Sequence, residues 1–204
     1  MTIEQVISLA KGGELKQLAI DDEDIVGYIN LGMLELYKRF PLKTEEYIID
    51  LVEGQTDYTM PSDYMWIVAA YGEILEDEVA TVTVKSLPVN KEDDPNSINT
   101  SSWNGVQIPL VVDGGRVSII YAAAPTTYTV GDMSVDIELP LQMIEALLTY
   151  MAYCGHGTID SEVQTESSVH YQRFEAACDR LLIKGMFNED DMYMDTRLVD
   201  RCFV

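Results

Sequence analysis

The spacing of apolar residues changes twice along this chain, from the period of a helix to that of a strand and back again. Near the N-terminus, an apolar stripe runs from the acidic segment that begins at Asp21 to Pro41, which predicts a helix. From Glu45 to about Asp136, β-branched residues and closely spaced turns predict antiparallel strands. Helical spacing returns after Pro140, so we expect an α+β fold. The N-terminal stripe consists of Ile25, Ile29, Met33, Leu36, Tyr37 and Phe40.

These changes predict three regions in a chain of 204 residues. Residues 1–44 and 138–187 are expected to form an antiparallel helical bundle. Residues 45–137 are expected to form an inserted antiparallel β domain, either a small sandwich or a barrel. Residues 188–204 are expected to form an extended C-terminal arm. Within the β domain, the polar residues 91–102 are predicted to be a surface loop.

Several residues also predict where elements begin and end. Thr2 can cap a short amphipathic helix that Gly12 and Gly13 stop, and Pro140 can occupy the first turn of a later helix. Asn104-Gly105 is a strong hairpin signal between two strands.

The C-terminal arm is apolar but has no helical period. Acids alternate there with large apolar side chains, and the segment is too short to form a core of its own. We therefore expect it to order against a neighbouring protein. The candidate interface residues are Met192, Tyr193, Met194, Leu198, Val199 and Phe203.

The net charge excludes two classes of partner. The chain carries 35 Asp and Glu against 13 Lys and Arg, a formal charge of −22. Phosphate contacts supply most of the affinity for nucleic acid, and this surface would repel phosphate. It would also repel an anionic membrane. Tight DNA binding and a membrane-surface role are therefore excluded.

The start of the chain and its cysteines indicate where it is made. The first residues, Met1 to Glu4, lack the basic and apolar regions of a secretory leader. Three cysteines are an odd number and imply no disulfide framework, so a reducing compartment fits best.

The residues that could carry catalysis or bind a metal form no recognisable site. A zinc site would need Cys154, His156, His170 and Cys178, whose spacings match no compact ligand pair. His156 lies at a predicted helix terminus, where a cationic side chain suits the dipole. Cys178 falls on an apolar helix face. We expect no catalytic residue, no metal ligand and no cofactor.

Five short segments, taken in order, resemble the head-to-tail adaptor proteins of tailed bacteriophages, the connector or tail-accessory group. The second segment is similar to the Tyr-x-Leu-Pro-x-Asp-like step of that family. The resemblance spans nearly the whole chain, although the loop near residues 94–102 has no match. The segments are Leu34-Glu35-Leu36-Tyr37-Lys38-Arg39-Phe40, Tyr58-Thr59-Met60-Pro61-Ser62-Asp63, Ile119-Ile120-Tyr121-Ala122-Ala123-Ala124-Pro125, Glu138-Leu139-Pro140 and Tyr171-Gln172-Arg173-Phe174-Glu175.

The resemblance implies a structural, non-enzymatic protein of the virion neck or tail, synthesised and assembled in the host cytoplasm. It implies a ring, usually twelve-fold, whose annulus is helical and whose β portion faces outward or toward the next tail component. The C-terminal segment of such proteins commonly docks on the portal. The implied partners are the portal protein, a downstream tail or nozzle protein and further copies of this chain. DNA would pass through the channel without specific binding, and no membrane is involved.

Two other functions stay open at this point. An acidic protein that mimics DNA and occupies a nucleic-acid-binding protein would explain the charge, but not the β insertion or the apolar arm. An enzyme that uses a carboxylate pair or His170 ranks last. Within a ring, the acids either line the channel, where they would repel passing phosphate, or solvate the outer surface.

Overall fold

A computed structural model describes residues 1–76, 81–109, 115–157 and 164–183 of the chain. Among the described residues, helices make up 41% and strands 26%, and the sheets are antiparallel, so the α+β prediction is confirmed. The described residues divide into two compact units. Residues 1–40 and 125–183 form the helical unit, and the described part of residues 41–124 forms the β unit.

The helical unit contains the α-helices of the described chain. They are α1 (Ile3–Gly12), α2 (Asp22–Arg39), α3 (Ile144–Gly157) and α4 (Gln164–Ile183), with short 3-10 turns at Val130–Asp132 and Leu141–Met143. Helix α3 packs against α4 and α2, and α1 contacts both α2 and α3. Within the described residues, none of these helices is long and apolar enough to span a membrane.

The ends of α1 and α2 follow from local sequence. The Thr2 hydroxyl accepts a hydrogen bond from the Gln5 backbone, and the Gln5 side chain accepts one from the Thr2 backbone, which forms a capping box. The Asp21 side chain caps α2 through the Asp24 amide at 2.9 Å. Phe40 ends α2 immediately before Pro41. The predicted apolar stripe of α2 is buried along its whole length, as expected.

The segment that leads from the last strand to α3 belongs to the helical unit. The Asn30 side chain pairs with the backbone of Tyr128 through two hydrogen bonds of 2.8 and 2.9 Å. The Tyr37 hydroxyl donates to the Glu138 carbonyl at 2.8 Å. The sequence-based boundary had grouped residues 125–137 with the strands. Their partners are a side chain of α2 and backbone groups at the start of the chain and of α1, about a hundred or more positions away, which local spacing does not reveal.

The β unit contains two antiparallel sheets. The strands are β1 (Thr44–Asp50), β2 (Asp57–Thr59), β3 (Tyr64–Glu76), β4 (Thr81–Leu87), β5 (Asn99–Ser102), β6 (Gly105–Gln107) and β7 (Arg116–Ala123). One sheet has the order β1-β7-β3-β4 and the other has the order β2-β6-β5. Within the described strands neither sheet closes into a barrel. Side chains from both sheets, among them Ile119 and Val106, meet in one buried core.

The prediction of a surface loop over residues 91–102 is wrong at its C-terminal end. Ser97 and Ile98 are fully buried, and residues 99–102 form strand β5. The Ser97 hydroxyl accepts a hydrogen bond from the Lys91 amide at 2.8 Å, and the Ile98 carbonyl accepts one from Asn90 at 2.8 Å. The polar composition of this strand did not predict it. The strand is held by backbone hydrogen bonds to neighbouring segments, and these do not depend on apolar side chains.

Candidate functional site

The six candidate interface residues of the arm lie outside the described residues. Their role therefore stays a prediction. They are Met192, Tyr193, Met194, Leu198, Val199 and Phe203.

The two histidines of the chain meet in the helical unit. The imidazole rings of His156 on α3 and His170 on α4 stack with a centroid separation of 4.7 Å and an angle of 20°. Both side chains are more than nine-tenths buried. His156 lies in the last turn of α3, and the sequence had predicted this position at a helix end. Its Nε2 atom is 3.1 Å from the backbone carbonyl oxygen of Glu14. Stacking and burial give this pair a packing role.

An open cleft of about 410 Å³ borders this pair. The Glu14 carboxylate accepts a hydrogen bond from the Arg173 guanidinium at 3.0 Å. The described residues that line the cleft include no serine, threonine or cysteine. A general base at His170 would therefore have no hydroxyl or thiol nucleophile beside it in this cleft. Among the described residues, no group of three or more His, Cys, Asp or Glu side chains is placed to hold a metal ion.

Two described cysteines, Cys154 and Cys178, are packed rather than poised to react. Cys178 is buried on the apolar face of α4, as predicted. Burial raises the pKa of both thiols to about 11. The thiolate is the reactive form, so these thiols are protonated at neutral pH and are poor nucleophiles.

A bidentate ion pair of the helical unit joins α2 to α4. The Arg39 guanidinium donates two hydrogen bonds to the Glu175 carboxylate, at 2.8 and 2.6 Å, and lies over the Phe174 ring at 4.6 Å. It also donates to Glu35 at 3.3 Å. These contacts hold the pKa of Glu175 below its usual range, chiefly through the hydrogen bond from Arg39. The helices are therefore fixed to each other by a charged as well as an apolar contact.

Residues 2–200 match a family model described as the SU10 adaptor protein. The chain belongs to the SU10 adaptor protein family. This is a family of phage head-to-tail adaptors, so the resemblance carried by the five segments is confirmed. The adaptor is thus a structural component of a phage virion, from a family associated with portal and tail proteins. No curated protein matches this chain.

The family is one of structural phage adaptors, so surfaces that could contact other proteins are of most interest. On the helical unit, large apolar side chains remain exposed on several elements. Ile183, at the end of α4, is 84% exposed. Where such side chains adjoin one another, they offer an apolar surface to a partner. The exposed side chains of this unit are Leu9, Leu31, Val130, Val135, Leu141, Val169, Tyr171, Leu182 and Ile183.

The adaptor's β unit exposes one large aromatic side chain that the sequence analysis did not single out. Trp103 lies in the two-residue turn between β5 and β6 and is 79% exposed. The predicted loop included its neighbours but assigned Trp103 no role. One feature of the sequence could have drawn attention to it. A hairpin turn at Asn104-Gly105 does not need an indole beside it, so the tryptophan there has no role in forming the turn.

Proposed function

We propose that the adaptor forms a ring beneath the portal that joins the capsid to the tail and lets the genome pass. The observation that carries this proposal is the match of residues 2–200 to a family of head-to-tail adaptors. A twelve-fold ring is proposed from the family resemblance. The helical unit would supply the annulus, and the arm at residues 188–204 would dock on the portal.

Ring assembly through the helical unit is supported by its exposed apolar side chains. A ring needs two different surfaces on each copy that fit each other and close. Burial of apolar area would supply the association free energy. The Arg39–Glu175 contact fixes α2 against α4, and a rigid surface loses less conformational entropy when it binds.

Portal docking through the arm is supported by its composition. Met, Tyr and Phe are common anchors in protein interfaces, and the arm contains all three among acids. We propose that the six candidate residues enter apolar sites on the portal. A downstream tail or nozzle protein would bind the other end of the ring.

The acidic surface suits a protein that does not hold DNA. Each phosphate neutralised by a Lys or Arg adds affinity, and a surplus of carboxylates opposes such contacts. We propose that DNA passes the ring without specific binding. The charge of −22 also favours a second candidate function, a DNA mimic that occupies a nucleic-acid-binding protein. The family match favours the adaptor.

The deciding experiment for the arm compares three versions of the chain for binding to purified portal protein. The first is wild type, and the second carries serine at the six candidate arm residues. The third is a matched control in which Asp190, Asp191 and Asp195 become asparagine, which changes charge in the same segment but leaves the apolar residues. We expect the serine variant to lose at least tenfold in affinity for portal, and the asparagine variant to bind like wild type.

Equal binding by all three versions would contradict the role of the arm. Binding of wild type to a DNA-processing enzyme but not to portal would favour the DNA mimic instead. Circular dichroism of each version establishes that the comparison is made between folded proteins.

A further inference from the structure

Trp103 is placed where its indole cannot contribute to the core of its own unit. Its side chain is 79% exposed. By contrast, the side chain of Val106, which lies in β6 of the same hairpin, is fully buried. The other tryptophan, Trp66 on β3, is only partly exposed. An indole offers more apolar area for burial than almost any other side chain, so its exposure leaves a large potential gain for a binding partner.

The hairpin holds this indole on a rigid support. The Asn104 carbonyl accepts a hydrogen bond from the Met60 amide at 2.8 Å, which ties the turn to β2. The hydroxyl oxygens of Ser101 and Ser102 lie close to the position that a Cβ atom at Gly105 would take, so a side chain there would displace them. At the other end of β5, the Thr100 amide donates to the Asn90 side chain at 2.9 Å. A partner would meet a preformed turn and pay little conformational entropy to order it.

The charge of the β unit indicates what kind of surface would accept this hairpin. Residues 41–124 contain fourteen Asp and Glu but four Lys and Arg. Two of these cations already contact carboxylates in the unit: Lys43 with Glu45 at 3.0 Å and Arg116 with Asp50 at 2.9 Å. The surplus of carboxylates makes a cationic surface the complementary one.

We propose that the β5–β6 hairpin is a docking anchor that inserts the Trp103 indole into an apolar socket, bordered by Lys and Arg, on another protein of the virion. Tryptophan is among the residues that most often dominate interface energy, and a basic rim would both attract the acidic unit and fix its orientation. The inference goes beyond the ring and the arm, because it requires neither of them.

Two other occupants fit the charge less well. A second copy of the chain is a poor source of a basic rim, because Asp and Glu outnumber Lys and Arg by 35 to 13 along it. An anionic lipid surface would repel this unit, although tryptophan itself favours membrane interfaces. A basic protein surface satisfies both the indole and the charge.

The first test compares oxidation of tryptophan by hydroxyl radicals in the free chain and in intact virions, measured on peptides by mass spectrometry. We expect oxidation of Trp103 to fall by about fivefold or more in virions, since anchor side chains are almost fully desolvated in complexes. Trp66 serves as the internal reference for changes in radical dose. Equal oxidation of Trp103 in both samples would overturn the proposal.

The second test identifies what covers the indole. A photoreactive benzoylphenylalanine in place of Trp103 is incorporated into virions and activated by light. We expect a crosslink to a protein other than this chain, at a peptide that contains Lys or Arg. Crosslinks only to other copies of this chain, or to lipid, would overturn the proposal.

These readouts separate this inference from the ring and the arm. The arm variants described above leave the hairpin intact, so loss of portal binding in those variants says nothing about Trp103. Conversely, a Trp103→Ala chain that still binds portal through its arm but is absent from mature virions would support a separate anchor.

A Trp103→Phe variant keeps an aromatic ring, so more of it should be incorporated into virions than of Trp103→Ala. Equal incorporation of Trp103→Ala and wild type would contradict the anchor.

Discussion

At the scale of single residues, Arg39 combines three kinds of contact in one side chain. Its guanidinium bonds Glu175 through two nitrogens, approaches Glu35 and covers the Phe174 ring. The Glu175 partner lies 136 positions away, so no local pattern could reveal it. Ion pairs between residues far apart in the chain could not be predicted from the sequence.

Replacement of Arg39 by methionine should therefore lower the free energy of unfolding. Bidentate hydrogen bonds between charged groups are strong, but both partners are partly exposed, so the expected loss is roughly 1–2 kcal/mol. The measurement is urea unfolding at neutral pH. Arg180→Met is the matched control because its ion pair with Glu145 is more exposed, and the loss there should stay below about 1 kcal/mol. An equal loss for both variants would contradict the special role of Arg39.

The same contact predicts a dependence on pH. Arg39 lowers the pKa of Glu175 in the folded state, so the pair stabilises the fold above the ordinary glutamate pKa of about 4.3. This contribution is lost as the pH falls through the lowered pKa, because the unfolded state then binds more protons. The difference in unfolding free energy between wild type and Arg39→Met should thus shrink from pH 7 toward pH 3. A difference that is the same at both ends of this range would argue against the ion pair.

At the scale of elements, the helices followed the sequence more closely than the strands did. The apolar stripe of α2, the cap at Thr2 and the acidic start of α2 at Asp21 were visible because helix signals are local. Strand β5 was missed because the segment Asn99–Ser102 is polar and has no alternation that marks a buried face. The contacts of residues 125–137 with α2 and with the start of the chain had no local signal, because they join residues about a hundred or more positions apart. The local sequence pattern therefore predicted only those elements whose structure is decided by local interactions.

Two glycines on α2, one in open space and one in a packed contact, together test how this helix packs. A Cβ at Gly32 would lie 2.6 Å from Cδ1 of the fully buried Leu147 and 3.3 Å from Cδ1 of Tyr150, so both side chains would have to shift. A Cβ at Gly27 meets nothing within 4 Å. Gly27→Ala should raise the unfolding free energy by about 0.5–1 kcal/mol through helix propensity. Gly32→Ala should lower it by about 1 kcal/mol, because overpacking outweighs that gain. Urea unfolding of the two variants should give opposite signs, and the same sign for both would contradict this packing.

At the scale of the whole molecule, the order of five weak segments carried more information than any one motif. The family match over residues 2–200 bears out that reading, while net charge alone left a DNA mimic equally open. The sequence also indicated an α+β chain with helices at both ends of a β region. It did not reveal Trp103 as an exposed anchor, because exposure depends on which neighbours the fold brings near. Surfaces that meet partners are set by tertiary structure.

Removal of residues 188–204 should leave the two units folded. The buried side chains that the structure describes all lie between Ile3 and Leu181, and the deleted segment lies beyond them. Helix content by circular dichroism and the urea midpoint should remain close to those of the full chain, while binding to portal is lost. Global unfolding of the shortened chain would show that the segment belongs to a core and not to an arm.

The claim that this chain is a head-to-tail adaptor is tested most directly by the mass of the complex it forms with purified portal rings, measured by native mass spectrometry. The account predicts that portal rings gain a fixed whole number of copies of the 22.9 kDa chain, twelve by the family resemblance, with no partly filled rings at saturation. Portal rings whose mass does not change at any concentration of the chain would contradict it.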